Sequence, residues 1–329
     1  MVDEEGHLKI VVAGAGGAGC NTINRLAGMG NCGAKLLAFN TDKLHLRHIS
    51  DRAERILLGA SVTRGLGAGG DPKVAAKAAL ASRKLIEQEV HDADMVFVTA
   101  GMGGGTGTGV APIIARMARE NGALVVGIVS FPFAMERARL KKARQGTAKL
   151  ADECDSLVVI QNDRLYQWVP NMQIEKAFAL ADEVTAKAVA GISRTILEPS
   201  LVNLDFSDLK HVMADGGLAM ISVGEGSGYD RIPQISEHIL KHPLLDVDYT
   251  EASGALMQFA GGADLTLGEA TDLGEKLMDN LGEQVHVAWG ARIDERVERS
   301  LEAFVIFTGI PSPLLLDPDA AEGRKKEED

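Results

Sequence analysis

The residues with the clearest chemical meaning form one run of glycines and threonines, Gly103-Gly104-Gly105-Thr106-Gly107-Thr108-Gly109. The run lies between an apolar segment, Met95–Ala100, and a segment with helical periodicity that begins near Val110. Glycine permits a positive φ and lets backbone N–H groups approach phosphate oxygens, and the two threonines add hydroxyl donors. A hinge is the alternative, but linkers do not usually separate a buried strand from a helix. The run therefore predicts a phosphate-binding loop.

Two further glycine loops lie in the same half of the chain. Gly14-Ala15-Gly16-Gly17-Ala18-Gly19 follows the first apolar run, and Gly65-Leu66-Gly67-Ala68-Gly69-Gly70 precedes a helix that begins near Pro72. The first loop fits the pattern G-x-G-x-x-G, and Asp42 stands roughly where dinucleotide-binding proteins have a ribose-binding acid. It indicates phosphate binding at a helix N-terminus without deciding which nucleotide binds. The other loop is either a further phosphate contact or a flexible lid.

The elements that must position these loops alternate along the first half of the chain. Unbroken apolar runs are typical of strands buried on both faces, and their alternation with helices predicts a parallel sheet. Loops that follow parallel strands meet at one edge, where such sheets bind ligands. Three glycine loops suit a nucleotide with three phosphates, whereas an NAD-dependent oxidoreductase needs only one. The predicted strands are Leu8–Ala13, Lys35–Phe39, Met95–Ala100, Leu124–Phe131 and Leu157–Ile160, and the predicted helices are Ala18–Ala27, Pro72–Val90, Val110–Asn121 and Met135–Ala151.

The second half begins with a long helical pattern from about Gln173 to Leu197, which Pro199 ends. A second, smaller α/β unit follows this helix. The last segment, Asp317–Asp329, is highly charged without apolar periodicity and is predicted to be a disordered tail. The predicted strands of the second unit are Ala219–Val223, Ala255–Phe259, Val285–Trp289 and Phe304–Thr308, and its helices lie near Gln234–Leu240 and Glu269–Asn280.

Bulk properties narrow the class of protein. The 329 residues are 46% hydrophobic, which predicts a globular chain of two domains. The net charge of −12 argues against a general nucleic-acid binder, although Arg137–Arg144 is a basic cluster, either a solvated helix face or an anion contact. Three widely spaced cysteines, an acidic N-terminus and the lack of an 18-residue apolar run predict a cytoplasmic protein without membrane insertion. The sequence lacks G-x-x-x-x-G-K-[ST], which excludes the P-loop GTPases.

The run Gly103–Gly109 and its companion motifs resemble the FtsZ/tubulin family in its FtsZ form. The resemblance extends from about Lys9 to Pro311, and the segments Ser156–Ile160 and Ala181–Val184 are similar to archaeal members. It implies an α/β fold with a Rossmann-like parallel-sheet GTPase domain, a long central helix and a smaller α/β domain with a mixed sheet. The implied boundaries are 1–172 for GTP binding, 173–198 for the central helix, 199–312 for the C-terminal activation domain and 313–329 for the charged tail.

The resemblance also implies which residues bind GTP or GDP. In the family, the position of Phe178 stacks on guanine and that of Asp182 accepts guanine N–H groups, although the residue type alone would favour core packing for Phe178. The segment around Glu136 is one residue shorter than the family pattern, so its nucleotide-contacting arginine is Arg139 or Arg137. The implied set is Gly16, Gly17, Ala18, Gly19 and Asn21 in the first phosphate loop; Asp42, near the phosphates and magnesium; Ala68, Gly69 and Gly70, sensing the γ-phosphate; Gly103–Gly109; Pro132 and Glu136 at the ribose; Arg139 on the phosphate or ribose side; and Asn162, Phe178 and Asp182 at guanine.

The catalytic acids are expected in Asn203-Leu204-Asp205-Phe206-Ser207-Asp208. By residue type alone, Asp205 is a helix cap. The resemblance instead implies a loop that reaches the nucleotide of the next subunit, with Asp205 and Asp208 polarising the attacking water and Asn203 supporting them. Such a site is incomplete within one chain, so hydrolysis would require assembly.

The expected function is therefore a self-assembling GTPase that forms head-to-tail filaments, with cell division as its use. GTP or GDP and Mg²⁺ are the expected cofactors, and no residue is assigned as a metal ligand. The partners are further copies of the chain, together with membrane-anchor and division proteins at the division site. The alternatives are a tubulin-like filament for cell shape or segregation, an NAD-dependent oxidoreductase resting on Gly14, Gly16, Gly19 and Asp42, and a scaffold that binds GTP without hydrolysing it.

Overall fold

The computed structural model describes residues 8–30, 33–214, 216–240, 249–282, 284–294 and 299–311. The predicted tail, 313–329, lies outside the described residues. The first unit alternates strands and helices, as its apolar pattern predicts. Its elements are β1 Ile10–Ala15, α1 Gly16–Met29, β2 Ala34–Asn40, α2 Lys43–Leu46, β3 Glu54–Leu57, α3 Ala60–Thr63, α4 Pro72–Ala81, α5 Arg83–Val90, β4 Met95–Gly101, α6 Thr106–Glu120, β5 Leu124–Phe131, α7 Arg137–Ala151, β6 Ser156–Gln161 and α8 Asn162–Trp168.

The second unit follows a helix of 24 residues, the longest described element. The helix ends at Leu197, two residues before Pro199, because the residue preceding a proline avoids the helical conformation. The elements from this helix onward are α9 Ile174–Leu197, α10 Phe206–Met213, β7 Gly217–Ser227, α11 Arg231–Leu240, β8 Gly254–Gly261, α12 Leu267–Met278, β9 His286–Ile293 and β10 Ser300–Thr308.

All the described strands belong to one sheet, in the order β3-β2-β1-β4-β5-β6-β7-β10-β8-β9. The first six strands pair in parallel, which confirms the predicted Rossmann-like half. The second half is mixed, because β10 pairs antiparallel with β7 and β8 while β9 pairs parallel with β8. The junction between the halves is narrow: β6 and β7 share only the register pairs Ser156↔Gly217 and Leu157↔Leu218. The α/β class with a mixed second sheet is therefore confirmed.

Three apolar clusters fill the space around this sheet. One cluster covers the face of the first half that carries α4, α5 and α6, and another covers the corresponding face of the second half beneath α11 and α12. The remaining cluster is shared, because α9 packs with both halves through residues such as Val189 and Ile192. Ile23 of α1 and Phe304 of β10 belong to this same cluster. The central helix therefore forms a common core for the two units.

The structure corrects several predicted helix boundaries. Two helices that begin at glycine loops start earlier than predicted: α1 begins at Gly16, not at Ala18, and α6 begins at Thr106, not at Val110. Glycine has a poor helix propensity, so the pattern misses first turns that are rich in glycine. The predicted helix Pro72–Val90 is two helices, because the backbone leaves the helical conformation at Ser82, whose hydroxyl accepts a hydrogen bond from Gly59 N at 2.8 Å. The pattern also missed the short elements β3, α2, α3 and α8, and it placed the start of α7 at Met135.

No helix within the described ranges has both the length and the apolar content needed to cross a bilayer.

One glycine contact between α9 and the second sheet half is open to test. A Cβ on Gly191 would lie 2.5 Å from Cδ2 of the buried Phe304 ring, whereas Gly274, inside α12, has open space around the same position. We expect Gly191→Ala to lower the free energy of unfolding by about 1–3 kcal/mol through overpacking. Gly274→Ala should raise it by about 0.5–1 kcal/mol, because alanine is the better helix former. Urea unfolding of both variants measures the difference, and equal shifts would contradict the packing argument.

Candidate functional site

A cavity of about 1100 Å³ opens at the carboxyl ends of the parallel strands. Loops that follow β1, β2, β4, β5 and β6 form its walls, and α9 closes one side. Most of the nucleotide-binding residues predicted from sequence therefore meet at one place. Those that line the cavity are Gly17, Ala18, Asn21, Asp42, Gly104, Gly105, Thr106, Gly107, Pro132, Glu136, Arg139, Asn162, Phe178 and Asp182.

The glycine loops Gly14–Gly19 and Gly103–Gly109 touch each other through their backbones. Gly16 has φ of +74°, and a Cβ there would lie 2.6 Å from the amide nitrogen of Gly107. The N-terminal turns of α1 and α6 consequently lie side by side. The first N–H groups of a helix have no partner within the helix, so both turns present open donors and positive dipole ends to the cavity. This arrangement can bind phosphate without a lysine.

The strand loops are tied into the same arrangement by hydroxyl and backbone groups. The side-chain oxygens of Thr41 and Thr106 lie 2.8 Å apart, which joins the loop after β2 to the start of α6. Gly67 N donates to Thr41 O at 3.0 Å, so the loop Gly65–Gly70, the third loop, attaches to the same threonine. A Cβ on Gly105 would lie 3.0 Å from Asp71 N, which brings the end of the third loop against the second. The three loops therefore form one surface.

Some residues predicted to bind nucleotide lie behind this surface. Thr108 is buried, and its hydroxyl accepts a hydrogen bond from Gly103 N at 2.9 Å, which shapes the loop from inside. Gly103 has φ of +92° and lies between Arg139 and Pro132. Gly19 faces Thr99 O of β4, and Gly109 faces Pro72 O at the start of α4, so these two glycines allow close packing. Gly16, described above, likewise does not line the cavity.

Ala68, Gly69 and Gly70, the residues of the third loop that were predicted to sense the γ-phosphate, do not line the cavity. Ala68 is buried, while Gly69 and Gly70 are exposed and have positive φ. Lys142 of α7 donates to Gly70 O at 2.7 Å and holds the loop from outside. Gly67, which the sequence analysis did not single out as a ligand, is the member of this segment that lines the cavity.

The ribose-side segment places one arginine at the cavity. Arg139 lines it and donates from Nη1 to Glu136 Oε2 at 2.7 Å, whereas Arg137 is not among the lining residues. Glu136 also accepts a bond from Phe133 N at 3.1 Å. Of the two arginines left open by the sequence, the structure brings Arg139 to the cavity.

The opposite end of the cavity suits a flat base. Phe178 is 42% exposed, and its ring packs edge-on against Phe133 with centroids 5.9 Å apart. Asn162 is the first residue of α8 and is buried, and the two carboxylate oxygens of the neighbouring Asp163 accept from Ala134 N at 3.0 and 3.1 Å. Burial raises the pKa of Asp182 to about 6, although the charge of Arg25 opposes this shift. The end therefore offers an aromatic face, an amide and a carboxyl group.

The predicted catalytic loop is not part of this cavity. Asn203 and Asp205 are exposed, Asp208 is half-buried, and none of them lines the cavity. The two acids form a capping box at the start of α10: Asp205 Oδ1 accepts from Asp208 N at 2.9 Å, and Asp208 Oδ2 accepts from Asp205 N at 3.0 Å. The cap that residue type alone suggests is thus present, and each carboxylate keeps one oxygen outside it.

Sequence reasoning missed several residues that line the cavity, among them His45, Met102 and Tyr166. Tyr166 belongs to α8, a helix that the periodicity did not reveal. His45 lies three residues after Asp42, in the short helix α2 that follows β2. Its closeness to the end of a parallel strand was the sequence signal that could have placed it at the cavity.

The fold and the cavity together define an α/β nucleotide-binding protein that uses glycine loops instead of a P-loop. A model of the Tubulin/FtsZ family, GTPase domain, matches residues 9–170, and a model of the FtsZ family, C-terminal domain, matches residues 217–311. The chain belongs to the Tubulin/FtsZ family, in its FtsZ branch of cell-division proteins. It is a GTPase and binds guanine nucleotide, which excludes the oxidoreductase alternative.

Similar proteins cover nearly the whole chain. Cell division protein FtsZ 2 of Methanocaldococcus jannaschii is 50% identical over 327 residues, 98% of this chain and 86% of that protein. Cell division protein FtsZ 2 of Haloferax volcanii is 47% identical over 324 residues, 98% and 81%. The solved empty FtsZ dimer of M. jannaschii has a TM-score of 0.86 at 44% identity, covering 93% of this chain and 89% of that one. The CetZ2 GTPγS-bound protofilament of H. volcanii, with a TM-score of 0.79 at 22% identity over 98% of this chain and 100% of that one, shares the fold.

The pKa of Asp182 makes its role in base binding testable. If Asp182 accepts guanine N–H groups, only its carboxylate form binds, so GDP affinity is complete above about pH 7 and falls as Asp182 protonates. With a pKa of about 6 in the free protein, the loss should reach about tenfold at pH 5. GDP titrations of the wild type and of Asp182→Asn between pH 5 and pH 7 measure this loss of affinity. The variant is the control, because protonation of the nucleotide phosphate affects both proteins alike. Asp182→Asn should bind more weakly at pH 7 with a flatter pH profile, and identical profiles would contradict this role.

Proposed function

We propose that the chain assembles head to tail into filaments and hydrolyses GTP where consecutive subunits meet, as the basis of a cell-division ring. One observation carries the proposal: Asp205 and Asp208 lie outside the cavity of their own chain. A water that attacks the γ-phosphate needs a polar group to orient and polarise it. Since the predicted acids cannot serve their own nucleotide from outside its cavity, a second copy must supply them.

Exposed apolar side chains support a contact of this kind. Met135, which lines the cavity, is 86% exposed, and Leu66, which pairs by a β-bridge with the lining residue Asp42, is 73% exposed. Near the acids, Leu201 is 76% exposed, and its N–H bonds to β9 at Ala291 O. These two surfaces differ from each other, so a contact between them is heterologous and repeats as an open filament. The solved dimer of the M. jannaschii relative is consistent with association between copies.

The acids can serve both the helix and the neighbouring nucleotide. The capping box uses Asp205 Oδ1 and Asp208 Oδ2, so Asp205 Oδ2 and Asp208 Oδ1 accept no hydrogen bond from the described residues. Held by the box, the two carboxylates are fixed in position before a partner arrives, which lowers the cost of ordering them in the transition state. We assign Asn203 to holding the same loop.

The charges that line the cavity favour a bound cation with the nucleotide. Asp42, Glu136, Asp163 and Asp182 oppose the single guanidinium of Arg139. No cluster of three or more His, Cys, Asp or Glu side chains in the described part of the chain could hold a metal ion alone. This fits Mg²⁺, which binds through substrate phosphates, waters and one or two carboxylates. Asp42 is the carboxylate beside the phosphate loops, and bound Mg²⁺ would neutralise charge on the phosphates.

We further propose that GTP binding belongs to residues 1–172 and activation to residues 199–312, with the central helix 173–198 between them. The narrow pairing of β6 with β7 supports this division. The chain is expected to act at the division site in the cytoplasm, with membrane anchoring supplied by partner proteins.

GTP turnover should depend on protein concentration. Because each active site needs two subunits, the specific GTPase rate should rise with concentration and reach a plateau once the protein is assembled. Phosphate release, measured together with light scattering over a concentration series, tests this expectation. A constant specific rate would exclude a shared site, and GTP binding without turnover would favour the scaffold alternative.

Subunit complementation tests where the acids act. Asp208→Asn keeps an oxygen that can accept the capping bond from Asp205 N but loses the carboxylate, so α10 should remain intact while the rate falls about 10²-fold or more. Its filaments should form with GTP and persist. Asp182→Ala damages the nucleotide cavity and leaves the acids unchanged.

Mixed in equal amounts, these two poorly active variants should recover GTPase activity, because the intact cavity of one meets the intact acids of the other. Each variant alone at the same total concentration is the control. A mixture no more active than the sum of its parts would show that both halves of the site must belong to one chain.

A further inference from the structure

We propose that His45 is a phosphate-binding residue, whose Nε2–H donates a hydrogen bond to a phosphate oxygen of the bound guanine nucleotide. The inference rests on the nucleotide site described above and adds to it a side chain that neither the glycine loops nor the base-binding end includes.

The backbone fixes His45 at the phosphate end of the cavity. Asp42 Oδ1 accepts hydrogen bonds from Leu44 N at 2.8 Å and from His45 N at 3.2 Å, which holds the short helix α2 against the end of β2. Lys43 N donates to Gly65 O at 3.0 Å, so the third loop holds the same segment from the other side. The backbone around His45 is therefore held by two loops that each contribute a residue to the cavity wall, Asp42 and Gly67.

The ring lies beside the open first turn of α1. A Cβ on Gly17 would have one neighbour within 4 Å, the Nε2 atom of His45, at 3.8 Å. Gly17 and His45 both line the cavity. A phosphate group bound by the N–H groups at the start of α1 would therefore lie within reach of Nε2.

The hydrogen-bond state of the ring favours a donor at Nε2. His45 Nδ1 is buried and has no hydrogen-bond partner among the described residues. A neutral imidazole carries one N–H. A proton on Nδ1 would bury an unpaired donor, which is costly, whereas a proton on Nε2 keeps the donor at the cavity.

The charges of the cavity give this donor a function. Among the described residues that line it, Arg139 is the only arginine or lysine, and its Nη1 already bonds to Glu136. Asp42, three residues before His45, adds negative charge at the phosphate end. A side-chain N–H at this position therefore complements the backbone donors where phosphate would otherwise meet carboxylate.

The test compares a nucleotide with and without phosphates. GDP and guanosine compete with a fluorescent GTP analogue for wild type, His45→Leu and His45→Gln, and His48→Leu is the control because His48 is exposed in the next turn and does not line the cavity. His45→Leu should weaken GDP about tenfold to a hundredfold, the loss expected for a hydrogen bond to a charged group, while guanosine affinity is unchanged. His45→Gln should recover part of the loss, since glutamine carries an N–H donor at a similar reach.

A spectroscopic measurement complements the affinities. In protein with ¹⁵N-labelled histidine, the Nε2 resonance that His45→Leu removes should shift on addition of GDP and not of guanosine. The proposal is overturned if His45→Leu weakens GDP and guanosine equally, if it weakens neither, or if GDP leaves that resonance unmoved. Failure of wild type to bind GDP would instead remove the nucleotide site itself, and this inference with it.

Discussion

Direct backbone contact between glycine loops, at the carboxyl edge of a parallel sheet, is the constraint on which the rest of the site depends. Gly16 against Gly107 leaves no room for a side chain, and Gly105 packs on the loop before α4, with a Cβ there 3.0 Å from Asp71 N. The starts of α1 and α6 are thereby brought together, with their unpaired N–H groups facing one space. The Thr41–Thr106 pair joins the loop after β2 to the start of α6, and Phe178 and Asp182 of α9 line the same cavity.

The same constraint explains why the cavity can be acidic. A P-loop protein neutralises phosphate with a lysine, whereas the starts of α1 and α6 offer peptide N–H donors and helix dipoles, which add no net charge. Carboxylates can then serve other purposes close by. Asp42 caps α2, and Asp182 lies at the base-binding end with a pKa raised to about 6 by burial. The two acids outside the cavity, Asp205 and Asp208, also have more than one possible use. They cap α10, and each keeps one carboxylate oxygen outside the capping box.

The sequence predicted the architecture well because its signals are local and repeated. Apolar runs without alternation identified β1, β4, β5 and β6, and glycine at strand ends located the loops. Helix starts were predicted late, since the glycines that make the first turns useful also have poor helix propensity. Short helices such as α2 and α8 were not predicted, because four to seven residues carry too little periodicity. The cavity residues on them, His45 and Tyr166, were missed for the same reason. Residue type alone predicts the cap that Asp205 and Asp208 form, and it carries no signal for a catalytic role, which only the family resemblance implies.

The narrow junction in the sheet has a mechanical consequence. The two halves of the subunit are joined through β6 and β7 by only two register pairs, whereas α9 packs along both halves through one continuous apolar cluster. A bending load on the molecule would therefore be carried mostly by the apolar packing of this helix and little by the hydrogen bonds between β6 and β7. Since α9 also carries Phe178 and Asp182, the helix that packs with both halves is also part of the cavity wall. A change in the angle between the two halves would therefore displace side chains that line the cavity.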